Sequence, residues 1–208
     1  MDESKAMTSI IWKGESDSSV DDGVIERVQL GGAAIENVDF VNCTFIGCNF
    51  LEAKLAKVTF TRCSFKGCDF AMCSFTQCEF WEAQFDDCKL IGINWSIAGL
   101  AIDAQFSNCR LDYSSFFKLS LRSKRFEKCS AIECNFSHCD LRKSHFMECD
   151  LSNSSFTGSD VRKADFSTSS GVFINPENTK VGKTAIGSDA AARLAMSHGF
   201  TVPSIFTD

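Results

Sequence analysis

Phe60-Thr61-Arg62-Cys63-Ser64-Phe65-Lys66-Gly67-Cys68-Asp69-Phe70-Ala71-Met72-Cys73-Ser74-Phe75-Thr76-Gln77-Cys78-Glu79-Phe80 returns a Phe every fifth residue, with a Cys two positions before each Phe from Phe65 onward. A period of five is neither the two of a strand nor the 3.6 of a helix, so it reads as a repeat architecture. Working outward, the register holds from Leu30 through Phe40, Phe50 and Leu90 to Leu100, giving 15 apolar centres. One surplus residue enters before Phe106, and 13 more centres follow to Phe166, making 28 that hold 16 of the 20 Phe.

All 12 Cys stand two residues before a centre, where the other occupants are mostly Ala, Ser or Val. A large and a small apolar residue separated by one polar residue make a three-residue strand with two side chains pointing inward. The remaining two residues of each five, often Gly, Asn, Lys, Ser or Glu, turn a corner. Four sides close a coil of 20 residues, and stacked coils pair each short strand with those above and below. The expected fold class is an all-β solenoid of about seven coils, roughly 34 Å long at ~4.8 Å per strand. The pattern over Gly23 to Thr168 resembles the pentapeptide-repeat family, whose fold is a right-handed quadrilateral β-helix.

Three segments follow: an acidic leader over 1–22 with an apolar knot at Ile10-Ile11-Trp12 that can cover the first coil, the β-helix over 23–168, and a C-terminal segment over 169–208. Because the Cys follow the core period, they read as small buried apolar residues rather than a disulfide framework. No apolar stretch approaches the ~18 residues of a membrane span and no signal-like segment follows Met1, which makes the cytoplasm the expected compartment. Net charge is −6, of which the leader carries −4, the repeat −2 and the C-terminal segment 0. A nearly neutral rod presents no basic patch of nucleic-acid-binding size.

The surplus residue near Leu100 reads as a bulge, which re-aims side chains. Trp81, Ile91, Ile97, Ile102 and Phe117 fall one or two residues after a centre and are expected to face outward, either as a partner surface or as covers over corners. Glu79, Glu82, Asp86, Asp87, Asp103 and Asp112 make the middle of the rod acidic, whereas Lys118 to Lys143 is basic.

After Phe166 the register breaks. Ser188 is expected to cap a helix over Asp189 to His198, with Asp189 in the first turn and Gly199 as the stop. Ala191, Leu194 and Ala195 share a face, and Phe200, Val202, Ile205 and Phe206 follow. These apolar residues predict a homodimer joined through this end.

Cys134, His138, Cys139, His145 and Cys149 imitate a zinc site in composition, but the register points the Cys inward and the His outward, so no metal is expected. The chain shows no phosphate loop, metal-binding His pair or nucleophile elbow, and a filled rod has no pocket. Neither an enzyme nor a cofactor or small-molecule substrate is expected.

The Cys-x-Phe repeat, the Leu90-Ile91-Gly92-Ile93-Asn94-Trp95 stretch, and Ile174-Asn175-Pro176-Glu177 followed by a short helix and apolar tail are similar to those of pentapeptide-repeat proteins that guard bacterial type II topoisomerases. That subgroup includes Qnr-type quinolone-resistance proteins and toxin-immunity proteins. The resemblance implies a non-catalytic dimer that binds DNA gyrase or topoisomerase IV where DNA would lie, without itself binding nucleic acid or membrane. Qnr proteins often carry long loops, whereas this chain has one surplus residue. A 34 Å duplex would carry roughly 20 phosphates, so mimicry by a rod of net −2 would be partial, through shape and a local acidic patch. The alternative is a structural or adaptor rod with an unrelated protein partner.

Overall fold

A computed structural model describes residues 8–9, 16–98 and 102–203. Its architecture is a single parallel ladder in which each strand pairs with the one 20 residues on. Val38 to Val41 lies on Val58 to Thr61, Thr44 to Ile46 on Ser64 to Lys66, and Ser64 to Lys66 on Gln84 to Asp86. Short bridges such as Asn49 to Asp69 and Asn135 to Ser155 continue the ladder on the other sides. The ladder also runs past both ends of the regular repeat. Ser18–Asp21 pairs with Val38 to Val41, Thr8–Ser9 pairs with Gly23 and Val24, and Ala185–Ile186 pairs with Asp165 and Phe166. The solenoid thus completes about eight turns, because Val20 and Ile186 continue the inward pattern where consensus residues are gone.

We number the four sides by their core residues. The first carries Phe40, Phe60 and Phe80, the second Phe45, Phe65 and Phe85, the third Phe50, Phe70 and Leu90, the fourth Leu55, Phe75 and Trp95. Between sides, the residue two after most core residues adopts the left-handed conformation, as in Asn42 (φ 54°), Arg62 (φ 50°) and Glu82 (φ 51°). For non-glycine residues this costs roughly 1 kcal/mol. Its backbone N–H is then aimed along the rod axis at the next turn, with Asn42 N donating to Thr61 O at 2.9 Å and Arg62 N to Trp81 O at 2.7 Å. That bond, repeated at successive corners, offsets the strain.

Inside, the Phe form columns. On the second side Phe45, Phe65, Phe85, Phe106, Phe126, Phe146 and Phe166 stack at 4.5 to 5.4 Å between ring centres. Phe rings on neighbouring sides meet edge to face, as Phe40 and Phe45 do at 76°. Both geometries suit the aromatic quadrupole and add to burial worth ~2–3 kcal/mol per side chain. Trp95 takes one fourth-side position, fully buried between Phe75 and Phe116, and its indole N–H has no hydrogen-bond partner. All twelve thiols are buried and free, and Cys63 Sγ–H donates to the Phe40 carbonyl of the preceding turn at 3.4 Å. In later turns Ser replaces Cys without loss of satisfaction. Ser114 Oγ donates to Leu90 O at 2.8 Å and accepts from Ile93 N at 3.0 Å.

Among the described residues the register changes once. Ala83 pairs with Ala104 at a spacing of 21, but Phe80 pairs with Ile102 at 22. Two residues are therefore gained ahead of Ile102 and one is lost after it, where Asp103 alone spans the place of Trp81 and Glu82. Ile102, expected to face outward, is buried at 7% exposure and occupies the core position. The five-residue register assigns that position to Leu100, which lies outside the described residues. A net count of one surplus residue hides this two-for-one exchange.

At the far end α1 spans Ser188–Ser197. Its N-cap is Gly187, not Ser188, and no side chain caps it. A Cβ at Gly187 would stand 2.9 Å from the Ser167 carbonyl oxygen, so close chain approach selects glycine there over a capping side chain. At the other end Gly199 (φ 85°) stops the helix as expected. Phe200 N donates to Ala195 O at 3.1 Å and Gly199 N to Met196 O at 3.0 Å, the pair of bonds of a Schellman motif.

Candidate partner-binding surface

Strand Glu79–Asp86 places Trp81 outward on the first side, where its indole is 46% exposed and donates from Nε1 to Glu79 Oε2 at 3.0 Å. Glu82 follows at the exposed corner. On the next turn Asp103 takes an ion pair from Lys124, whose side chain is 20% exposed. Lys124 stands two residues before Phe126, a position that elsewhere mostly holds Cys, Ala or Ser. Its stem lies along the rod surface and its ammonium reaches the place where the corner residue is missing. Sequence reading missed this pair; the signal was one Lys among small residues.

The other expected acids do not join this group. Asp86 and Asp87 lie on the second side, where Asp86 accepts from Asn108 Nδ2 at 2.9 Å. Asp112, expected in the surface patch, is buried on the third side at 5% exposure. Its Oδ1 accepts from Ser130 Oγ at 2.5 Å and Ile132 N at 3.0 Å, and Arg110 lies 3.5 Å away. It closes a corner and is unavailable to a partner.

The expected apolar cluster is also dispersed. Ile97 is 48% exposed at the end of a 3-10 turn over Trp95–Ile97, where Asn94 Oδ1 caps the turn by accepting from Ser96 N at 3.1 Å. Phe117, half-buried one turn below on the same side, meets His138 edge to face at 5.5 Å and lies 5.0 Å from Lys118 Nζ. Ile91 is half-buried on the third side, opposite Trp81. Trp81 is therefore the exposed aromatic of the first side, with acids as its neighbours.

Later turns of the first side carry a charge ladder. Arg142 holds Asp140 Oδ2 at 2.6 Å and reaches Asp160 Oδ2 at 3.8 Å, and Arg162 holds Asp160 Oδ2 at 2.6 Å. These guanidiniums keep the Asp140 and Asp160 carboxyls below the usual carboxylate range, and the Ser167 hydroxyl does the same for Asp165. Burial pushes the Cys78 thiol up to about 11 and those of Cys134 and Cys139 to about 12. Cys134, Cys139 and Cys149 point into the rod while His138 is exposed and His145 half-buried outside it. Among the described residues no group of three or more His, Cys, Asp or Glu is arranged to hold a metal ion.

At the C-terminal end Pro176, Ile186, Ala191, Leu194, Ala195 and Phe200 line a shallow apolar groove. Phe200 is 68% exposed and Met196 59%, Leu194 and Val202 are half-buried, and Ile205 and Phe206 lie outside the described residues. No helix of the described residues is long and apolar enough to cross a membrane.

These features define a four-sided parallel β-solenoid with a filled core and a short helical end. The family profile for the pentapeptide repeat region matches residues 38–102 and 101–171, well over half of the 208 residues, and the chain belongs to the pentapeptide repeat family. HetL, a pentapeptide repeat protein involved in heterocyst differentiation regulation in the cyanobacterium Nostoc sp. strain PCC 7120, superposes with TM-score 0.69 at 14% identity over 84% of this chain and 88% of its own. A trypsin-treated form of QnrB1, a plasmid-mediated fluoroquinolone resistance protein, is 21% identical over 90% of this chain and 98% of its own, with TM-score 0.49. A comparison with curated protein sequences finds no match.

Proposed function

We propose that this protein is a catalytically inert ligand of a bacterial type II topoisomerase, gyrase or topoisomerase IV, and that it protects the enzyme from a poison such as a quinolone or a self-produced toxin. The observation that carries the reading is the first side around Trp81. A half-exposed indole, held by Glu79 and followed by Glu82, stands on a parallel ladder. Aromatic anchors supply much of the energy of protein interfaces, and flanking carboxylates suit a surface built to receive a polyanion. With Asp112 buried, Asp86 and Asp87 on another side and Asp103 paired with Lys124, the acids of the expected patch left for an imitation of DNA are Glu79 and Glu82.

The same proposal includes a homodimer through the C-terminal end. Leu194, Phe200 and Val202, together with Ile205 and Phe206, supply its apolar contacts, and the groove beside α1 receives them. Deletion of residues 200–208 gives a monomer by light scattering; a persisting dimer contradicts this part.

Trp81→Glu tests the topoisomerase surface. Binding to immobilised gyrase or topoisomerase IV falls at least about tenfold while circular dichroism keeps the β-helix signal. Unchanged binding removes Trp81 from the interface. Failure of the wild-type protein to bind either enzyme favours an adaptor rod with another protein partner.

A further inference from the structure

The first side is electrically divided along its length. Its nine rungs are centred, in chain order, on Val20, Phe40, Phe60, Phe80, Ile102, Leu121, Leu141, Val161 and Val181, with pairing in register on either side of the Ile102 to Leu121 step. Outward residues of the first four rungs comprise the acids Asp21, Asp22, Asp39, Glu79 and Glu82 against the single base Arg62, a net of −4. Asp103, on the fifth rung, is neutralised by Lys124. The last four rungs carry three arginines, Arg122, Arg142 and Arg162, and four lysines, Lys143, Lys163, Lys180 and Lys183, against Asp140 and Asp160, a net of +5. The near-neutral total of the rod conceals two opposed halves, each roughly 15 Å long at ~4.8 Å per rung.

From this arrangement we infer that the first side binds the first side of a second copy of the chain, antiparallel and laterally. A two-fold axis through the Asp103 rung is the operation that sets an acidic half on a basic half twice over, and an isologous contact requires such self-complementarity. It brings Asp21 and Asp22 opposite Lys180 and Lys183, and Asp39 opposite Arg162 and Lys163. It also brings Glu79, Trp81 and Glu82 opposite Arg122, where the guanidinium meets carboxylates and an exposed indole. Only the third and seventh rungs oppose like charges, Arg62 against Lys143. Its rungs pair in register within each half, so complementarity extends along both. A second copy fits better than a uniform polyanion such as nucleic acid, which the acidic half repels.

This contact goes beyond the topoisomerase reading and is independent of the apolar C-terminal groove. Because it consists of exposed charges it is weak and salt-dependent. The test is sedimentation velocity of the full chain in low salt, about 0.01 M, where the Debye length is ~30 Å, and in about 1 M salt, where it is ~3 Å. Low salt produces a heavier species that high salt dissolves, whatever mass the C-terminal end sets. Lys163→Glu with Lys183→Glu abolishes the low-salt increment, as does Asp21→Lys with Asp39→Lys. All four positions are exposed, so folding is retained.

Mixing the two double variants in equal amounts restores the increment, because each reversed end then faces an opposite charge on its partner. Absence of a salt-sensitive increment in the wild type overturns the inference. So does failure of the mixture to recover it.

Discussion

Lys124 and Asp103 form an ion pair across adjacent turns where the ladder spacing changes between Ile102 and Ala104. The corner that Trp81 and Glu82 build on the preceding turn is one residue shorter at Asp103, and the Lys124 side chain covers the gap. Its ammonium, on a side chain only 20% exposed, needs a counter-charge.

Asp103→Asn removes that counter-charge. Breaking a fully buried pair costs about 3–5 kcal/mol. Here Asp103 is 44% exposed, so the expected loss is reduced to about 1 kcal/mol, read as a lower urea midpoint at unchanged slope. Lys124→Ala restores the consensus type and costs less than Asp103→Asn. The reverse order would show that the pair is not what closes the corner.

Core substitutions separate packing from polarity. Phe85→Ala opens a void in the middle of the second-side column and lowers stability by about 3–5 kcal/mol. Trp95→Phe deletes ring atoms but also a buried N–H that has no acceptor. An unsatisfied buried donor costs ~1–3 kcal/mol, so the two effects offset and the variant stays within about 1 kcal/mol of wild type. A loss above about 3 kcal/mol would mean that the indole N–H is satisfied in solution.

Gly171 has φ 70° and sits against the backbone of Ser152, leaving no room for a Cβ. Gly171→Ala therefore shifts the last turn and destabilises the fold by about 2 kcal/mol. Gly67, equally left-handed but with nothing near its Cβ position, accepts Asn at a cost below about 1 kcal/mol. Denaturant midpoints of the two variants distinguish crowding from conformation.

The twelve thiols are enclosed, and burial raises those of Cys78, Cys134 and Cys139. With the Cys78 thiol pushed up to about 11, only about 0.1% is thiolate at pH 8. An aromatic disulfide reagent finds no fast-reacting thiol among the buried cysteines and titrates twelve after denaturation. Several thiols reacting within seconds would contradict the filled core.

Asp140, Asp160 and Asp165 are held below their unfolded carboxylate range. Their contribution to stability is therefore complete above about pH 4 and is lost as pH falls through their lowered native values. Asp160→Asn removes part of that slope. Acid titration monitored by circular dichroism would show a smaller loss of stability between neutral pH and acid than in the wild type.

The five-residue period made the fold readable because every rung repeats one demand: a large residue inside, a small one beside it, a corner that tolerates left-handed backbone. The spacing of centres from Phe40 to Leu90 thus revealed sides, core and thiol environment together. Two kinds of feature escaped. Local exchanges leave the net count unchanged, which is why Ile102 read as outward while it replaces Phe80 in the column. Side allocation of charges also requires the 20-residue turn to be laid out in space, and only then do Asp86, Asp87 and Asp112 separate from Glu79 and Glu82. At α1, close approach of Gly187 to Ser167 overrode the capping preference of Ser188, a tertiary contact that no local pattern encodes.

Supercoiling by purified gyrase, titrated with this protein in the presence and absence of a fluoroquinolone and of a peptide or albicidin-type toxin, tests the central claim most directly. The account predicts that supercoiling is restored against at least one poison, and that Trp81→Glu loses the rescue. No rescue and no inhibition, with the protein in large excess over gyrase, would contradict it.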